Sequence, residues 1–264
     1  LNYITWNVER ELVHIYGPFG IRWYSLFFLA GILLGNYIMQ RIAKAEGKPV
    51  QRLDDLLFYI IIGTIVGARL GHCLFYSPTF YLQNPLEILK VWKGGLASHG
   101  GFLGVILAVI YFSYKQKDMS LWWTADRIGI VAIIAGGFIR MGNLFNSEII
   151  GRVTNVPWAF IFIKEDNLPR HPTQIYESFG YISIGILLYV LYKYWNRKPL
   201  PGRIFGLALS LGFGFRFLIE PLKENQEAFE DGLLINMGQI LSIPFILIGL
   251  YLVIGFYQKK KKLT

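Results

Sequence analysis

LLFYIIIGTIVGARLGHCLFY, residues 56–76, decides the fold class. The run is continuously apolar and long enough to cross a bilayer, because a helix needs about 20 such residues to span the hydrocarbon core. Its hydrophobicity does not alternate every second residue, as a membrane-barrel strand requires. A single cation, Arg69, sits inside it.

Working outward, the same kind of run recurs at Ile21–Ile42, Ser98–Tyr114, Trp122–Arg140, Gln174–Trp195, Ile204–Ile219 and Asn236–Tyr257. With Leu56–Tyr76 these predict an all-α integral membrane protein of seven transmembrane helices, folded as one transmembrane catalytic domain over residues 1–264. Leu82–Trp92 follows Pro78, contains Pro85 and is too short to cross, so it is expected along the interface. Composition agrees. The chain is 54% hydrophobic and 16% charged, with a mean hydropathy of +0.42, whereas soluble domains carry about 25% charged residues. Residues 1–20 contain Glu9, Arg10 and Glu11 and no basic stretch leading into an apolar core. No cleavable signal is therefore expected there, only a short N-terminal segment on the outer face.

The net charge of +9 does not point to nucleic acid. Basic residues fall in short blocks between apolar runs, with no aromatic and basic face of the kind that grips single strands. Arg41, Lys44, Lys48 and Arg52 follow the first run; Lys115 and Lys117 follow the third; Lys193, Arg197, Lys198 and Arg203 follow the fifth. Lys259, Lys260, Lys261 and Lys262 follow the seventh, within a basic tail over residues 258–264. Seven crossings put all four blocks on one side, which the positive-inside rule makes cytoplasmic. The N-terminus is then outside and the C-terminus inside. The loop from Lys223 to Asp231, rich in Glu224, Glu227, Glu230 and Asp231, falls on the opposite side.

That topology gathers polar residues at the outer ends of the spans: Arg22 and Tyr24; Arg69; His99; Arg140, Asn143, Asn146 and Glu148; Arg170, His171, Gln174, Tyr176 and Glu177; Arg216 and Glu220; Asn236 and Gln239. An ionisable residue mid-span costs roughly 2.5–3.5 kcal/mol on insertion scales, so it is paired or functional. Arg216 and Glu220, four apart, share a helix face and also read as an internal pair. Arg22 reads as a snorkelling arginine, and His99 alone reads equally as a satisfied interior histidine or a reactive one. Cys73, the single cysteine, reads as an apolar filler and rules out a disulfide within the chain. Three arginines, Arg69, Arg140 and Arg216, approach one layer, and a planar guanidinium fork suits phosphate oxygens. A phospholipid headgroup is the anion always present at that depth.

Several chemistries lack their residues. No His-Glu-x-x-His pattern or cysteine cluster offers a zinc site. No phosphate-cradling glycine loop occurs. Leu96-Ala97-Ser98-His99-Gly100 lacks the first glycine of a serine-hydrolase elbow. A metal-free set of one histidine, several arginines and a carboxylate suits displacement of a phosphate leaving group: the histidine takes a proton and the arginines neutralise the phosphate.

Gly137-Phe138-Ile139-Arg140-Met141-Gly142-Asn143-Leu144-Phe145-Asn146-Ser147-Glu148 resembles the central motif of the bacterial prolipoprotein diacylglyceryl transferases. Ser98-His99-Gly100-Gly101 and Arg170-His171-Pro172-Thr173-Gln174-Ile175-Tyr176-Glu177 are similar to two further family segments. Ile21-Arg22-Trp23-Tyr24, Arg216 with Glu220, and Met237-Gly238-Gln239 followed by Ser242 and Pro244 match in order along nearly the whole chain. The resemblance implies transfer of the diacylglyceryl group of phosphatidylglycerol to the lipobox cysteine thiol of a preprolipoprotein, forming a thioether and releasing glycerol phosphate. The partners it implies are that lipid and the lipobox signal peptide, with no cofactor and no metal. It places the enzyme in the bacterial inner membrane with its site toward the outer leaflet. It gives reactive roles to His99, Arg140, Arg216, Glu148, Glu220 and Tyr24. Contacts to phosphatidylglycerol fall to Arg69, Arg140, Gly142, Asn143, Asn146, Gly151 and Arg216. Which group takes the thiol proton stays open between His99 and nearby carboxylates.

Two departures stand out. Ile139 replaces the glycine the family usually has directly before the arginine, and Glu220 is followed by Pro221-Leu222-Lys223-Glu224-Asn225-Gln226 rather than an aromatic pair, an arginine and Pro-Asp. Lys223 keeps the charge and gives up bidentate geometry. Two other classes share some of these features. A transporter would show internal repeats and helices broken at the midplane, and a phospholipid hydrolase would turn over lipid without any thiol peptide.

Overall fold

The computed structural model describes residues 3–16, 19–225 and 235–261. It is mostly helical. The elements run β1 (Ile4–Trp6), β2 (Glu11–Tyr16), β3 (Phe19–Arg22), α1 (Trp23–Ala45), α2 (Arg52–Phe75), α3 (Pro78–Gln83), α4 (Ser98–Lys115), α5 (Leu121–Asn146), β4 (Phe160–Phe162), β5 (Pro169–Arg170), α6 (Thr173–Tyr194), α7 (Arg203–Ile219) and α8 (Met237–Lys261). Short 3-10 turns lie at Pro85–Leu89, Val91–Lys93 and Glu220–Leu222.

Among the described residues six helices are long and apolar enough to cross a membrane: Trp23–Ala45, Arg52–Phe75, Leu121–Asn146, Thr173–Tyr194, Arg203–Leu222 and Met237–Gly255. The remaining expected span is α4. Its 18 residues rise about 27 Å at helical pitch, just under a hydrocarbon core of about 30 Å. Large apolar side chains stand outward along these helices, among them Leu33, Phe58, Leu107, Ile186, Leu247 and Tyr251. Lipid is the solvent that tolerates such a surface; the protein is a multi-pass membrane protein.

The chain forms two compact units, Leu1–Ile38 with Asp126–Thr264, and Met39–Ala125. In the first, two small sheets accompany the helices, which the reading of apolar runs did not anticipate: strands of two to six residues are too short to show a period. β1 pairs in parallel with β4, and β4 antiparallel with β5. Trp6 of β1 packs on Phe145 and Phe160 and donates its indole N–H to Leu144 O at 3.1 Å. The β2–β3 hairpin leads directly into α1, where Trp23 and Phe27 close over the same Phe145. An aromatic cluster thus fixes the end of α5. At the helix's other end, buried Asp126 accepts the backbone N–H groups of Gly202 and Phe205 at 3.0 and 2.9 Å, capping the first turn of α7.

α5 is longer than its apolar run. Gly142 and Asn143 do not end it; it continues to Asn146 and stops where Ser147 turns left-handed, with φ +56°. Asn143 and Asn146 are therefore helical residues on the turns after Arg140.

The second unit is built on α2 and α4. Gly63, Gly67 and Gly71 recur every fourth residue on α2, and Gly100 and Gly104 on α4. A Cβ at Gly104 would lie 1.9 Å from Gly63 O, and one at Gly67 2.3 Å from Gly100 O. The two backbones are in contact, the membrane solution for helices that gain nothing by hiding apolar surface from lipid. Gly100 of the His-Gly-Gly segment belongs to this ladder, while the His99 side chain is exposed. Arg69 is buried and donates Nε to Ile88 O at 2.9 Å, Nη1 to Gly94 O at 2.6 Å and Nη2 to Glu87 O. One guanidinium thus holds the non-spanning 78–95 segment, part of which was expected along the interface.

A branched side chain at Gly104 has nowhere to go, so Gly104→Val is expected to abolish folded yield and the thermal transition in detergent. A Cβ at Gly214 of α7 would meet nothing within 4 Å. Gly214→Ala is expected to leave yield intact and to stabilise by about 0.5–1 kcal/mol. Equal behaviour of the two variants in a melting experiment would contradict the ladder.

Candidate active site

The ends of α5, α6 and α7 that meet in the first unit carry charges no apolar surrounding could hold singly. Arg140, on the last turns of α5, directs Nε at Glu177 Oε2 of α6 at 3.1 Å and donates Nη1 to Asn143 Oδ1 at 3.3 Å. Asn143 passes the chain on, donating Nδ2 to Glu148 Oε2 at 3.1 Å, and Asn146 donates Nδ2 to Glu148 Oε1 at 3.1 Å. Arg140, Asn143, Asn146 and Glu148 are thus joined in one hydrogen-bonded string. Its arginine is largely covered while the Glu148 residue is exposed.

A second string runs from the same Glu177. Lys223 Nζ, buried with its side chain 3% exposed, donates to Glu177 Oε1 at 2.8 Å and to Glu220 Oε2 at 3.0 Å. Arg216 Nε lies 3.7 Å from Glu220 Oε2. The pairing of Arg216 with Glu220, four residues apart on α7 and the turn after it, is present but long; Lys223 holds that carboxylate more closely. Tyr181, one turn after Glu177, donates its hydroxyl to Glu177 Oε1 at 3.3 Å. Three cations, Arg140, Arg216 and Lys223, therefore share two carboxylates, Glu177 and Glu220. Among the described residues Glu148, joined to Arg140 through Asn143, brings the network to three cations and three carboxylates, and Arg216 is its most exposed cation, at 30%.

Backbone pairing holds these helix ends. Arg152 N donates to Leu222 O at 2.8 Å, Glu224 N to Ile150 O at 3.1 Å, and Gly151 N to His171 O at 3.1 Å. Gly151, expected to contact lipid, is placed at this junction: a Cβ there would lie 2.3 Å from His171 O. Gly142 faces Tyr24, whose ring would meet a Cβ at 2.9 Å. Arg170 ties the junction together through Asp166, Gly151 O and Glu224. The guanidinium beside Asp166 holds its carboxyl below the usual aspartate range. His171 is set against the Tyr176 hydroxyl at 3.3 Å, and partial burial lowers its imidazole pKa. At the start of α8, Gln239 Nε2 reaches Phe217 O of α7 at 3.2 Å.

The structure thus brings together Arg140, Asn143, Asn146, Glu148, Arg216 and Glu220 around shared partners, with Tyr24 against Gly142. Arg69 and His99 belong to the second unit. Sequence reasoning gave no role to Glu177 and treated Lys223 as a departure. Both left a signal: a carboxylate inside an apolar run demands a cation, and Lys223 lies three residues beyond Glu220. The acidic residues Glu227, Glu230 and Asp231 and the tail's Lys262 lie outside the described residues.

Comparison with known proteins converges on one family. The family model described as prolipoprotein diacylglyceryl transferase matches residues 10–255. A phosphatidylglycerol–prolipoprotein diacylglyceryl transferase of Tolumonas auensis is 48% identical over 259 residues, covering 98% of this chain and 100% of the relative. The enzyme of the same name from Chloroherpeton thalassium is 46% identical, over 96% of this chain and 94% of its own. That of Bacteroides fragilis is 43% identical, over 98% and 96%. With the family model matching residues 10–255 and the relatives matching nearly end to end, the chain belongs to the prolipoprotein diacylglyceryl transferase family.

Proposed function

We propose that this protein transfers the diacylglyceryl group of phosphatidylglycerol to the cysteine thiol of a preprolipoprotein lipobox, releasing glycerol phosphate in the first step of lipoprotein maturation. The observation that carries the reading is the pair of guanidinium groups at the ends of α5, α6 and α7: Arg140 and Arg216 are anchored to carboxylates yet partly exposed, Arg216 with only a 3.7 Å contact to Glu220. Guanidinium groups held in this way present planar donors that suit phosphate oxygens. The lipid phosphodiester carries one negative charge, and a second develops as its bond to the diacylglyceryl carbon breaks.

The step balances in atoms and electrons. The thiol gives its proton to a base on the protein, the thiolate sulfur forms a bond to the diacylglyceryl carbon, and the carbon–oxygen bond to phosphate breaks. The electron pair leaves on the phosphate oxygen as glycerol phosphate. Arg140 and Arg216 stabilise that developing charge, which is the interaction a catalyst gains by strengthening only in the transition state. Glu177 and Glu220, themselves bonded to Lys223, hold the two arginines. Asn143 and Asn146 orient Glu148, and Tyr24, packed on Gly142, shapes the same wall. Residues 1–264 act as one catalytic domain, with His99 or a carboxylate taking the thiol proton. Arg69 contributes by holding its loop. The topology that suits this role has seven crossings counting α4, the N-terminus outside, and the site toward the outer leaflet of the inner membrane. The basic blocks following α1, α4 and α6 support it through the positive-inside rule.

Purified protein with phosphatidylglycerol and a lipobox peptide is expected to add a diacylglyceryl mass to the cysteine peptide and none to its cysteine-to-serine counterpart. Lipid cleavage without peptide modification would replace the transferase reading with hydrolysis. Arg140→Ala is expected to lower the transfer rate by about a hundredfold or more, the scale of losing one preorganised donor to a developing charge. Arg140→Lys, which keeps charge but loses the fork, is expected to recover only part of it. Turnover unchanged in Arg140→Ala would remove Arg140 from the phosphate site.

A further inference from the structure

The turn after α5 is held in a conformation its sequence does not favour. Ser147 and Ile149, on either side of Glu148, both have φ +56°. For a β-branched residue the left-handed region is a true outlier, because Cβ crowds the backbone. The turn also leaves polar atoms unsatisfied: Ser147 Oγ and Asn146 Oδ1 are buried without a hydrogen-bond partner among the described residues. Strain of this kind persists only where surrounding structure imposes it, and it concentrates where a side chain must be aimed.

What imposes it is the first turn of α6. Gln174 Nε2 donates to Glu148 O at 2.7 Å, and Thr173 Oγ1 donates to Ile149 O at 3.1 Å. Both residues are fully buried. Glu148 N is held from the other side by Asn143 O at 2.9 Å. The main chain of Glu148 is thus clamped at N–H and C=O while its side chain emerges toward Asn143 and Asn146. The remaining oxygen of Gln174, Oε1, is itself buried and unpartnered among the described residues. The side chain is fixed by one strong donation to a turn that would otherwise relax.

We infer that Gln174, assisted by Thr173, is a positioning residue for Glu148: it holds a strained turn so that the carboxylate stands where transfer needs it. The inference rests on the transferase reading above and says which part of the protein aims one of its carboxylates. It makes an unusual demand on Ile149. Glycine takes φ +56° at no steric cost, so a chain with glycine at 149 needs the clamp less.

The test is transfer kinetics with phosphatidylglycerol and the cysteine peptide for wild type, Gln174→Met, Ile149→Gly and the double variant, each with a thermal melt in detergent. Methionine keeps length and volume and removes the donor. Gln174→Met is expected to lower kcat between about tenfold and about a hundredfold, the range for misplacing a positioned group. Its KM for lipid should stay close to wild type, because the arginines and not Glu148 hold the phosphate. The double variant is expected to recover at least about threefold over Gln174→Met. A packing role for Gln174 predicts losses that add, so additive losses, or wild-type kcat in Gln174→Met, would overturn the inference. If Gln174→Met shows no melting transition, Thr173→Val carries the same test through the neighbouring donor, with the same rescue by Ile149→Gly expected and additivity again fatal. A wild type that modifies no peptide overturns the transferase reading instead, and this inference with it.

Discussion

A charge cannot be left alone among apolar helices, and this constraint organises the first unit. An unpaired ion at such depth costs several kcal/mol, and removing one partner of a buried pair costs about 3–5 kcal/mol because the other is stranded. Glu177 is fully covered and meets this demand through Lys223 and Arg140 together. Glu220 meets it through Lys223 and Arg216. The ends of α5, α6 and α7 are thereby held to one another by the same carboxylates that hold the two arginines. Since Arg216 keeps only a long contact to Glu220 and is the most exposed of the cations, the cluster that secures the helices also offers a guanidinium to phosphate. Stability and binding draw on one set of atoms.

Backbone pairing gives that cluster its precision. The 150–152 segment pairs with 222–224 on one side and with His171 on the other, and Arg170 crosses the junction. Glycine at 151 lets the chains approach, and α5 ends in a turn that only neighbouring side chains can impose. The second unit solves a different problem with a different device: the α2–α4 glycine ladder brings backbones into contact, and Arg69 commits its donors to the carbonyls of a loop. A buried arginine satisfied by main-chain oxygens and one satisfied by shared carboxylates are chemically unlike, though in the sequence both are single cations in apolar runs.

That difference marks what could be read in advance. Apolar run length located the helices closely: the run at 21–42 became α1, that at 174–195 became α6, and membrane residence follows from them. Motif spacing gathered Arg140, Asn143, Glu148, Arg216 and Glu220. The short strands escaped because two to six residues carry no periodicity, and the end of α5 escaped because glycine and asparagine at 142, 143 and 146 interrupt the apolar run while the helix continues. The partnership of Lys223 with Glu177 joins residues 46 apart in sequence, a distance no local pattern bridges. The left-handed Ile149 is the clearest case, since no propensity predicts a β-branched residue there; tertiary hydrogen bonds decide it.

The central claim is that Arg140 and Arg216, anchored by Glu177 and Glu220 while Lys223 shares those carboxylates, hold the lipid phosphate. The most direct measurement is the affinity of the protein for phosphatidylglycerol in lipid discs, for wild type, Lys223→Met and Lys223→Met with Glu177→Gln. Lys223→Met leaves two arginines against two carboxylates, so affinity is expected to fall by about tenfold, equivalent to about 1.4 kcal/mol. Removing the Glu177 charge as well frees Arg140 from its carboxylate, and affinity is expected to return most of the way. A double variant that binds no better than Lys223→Met would contradict the account.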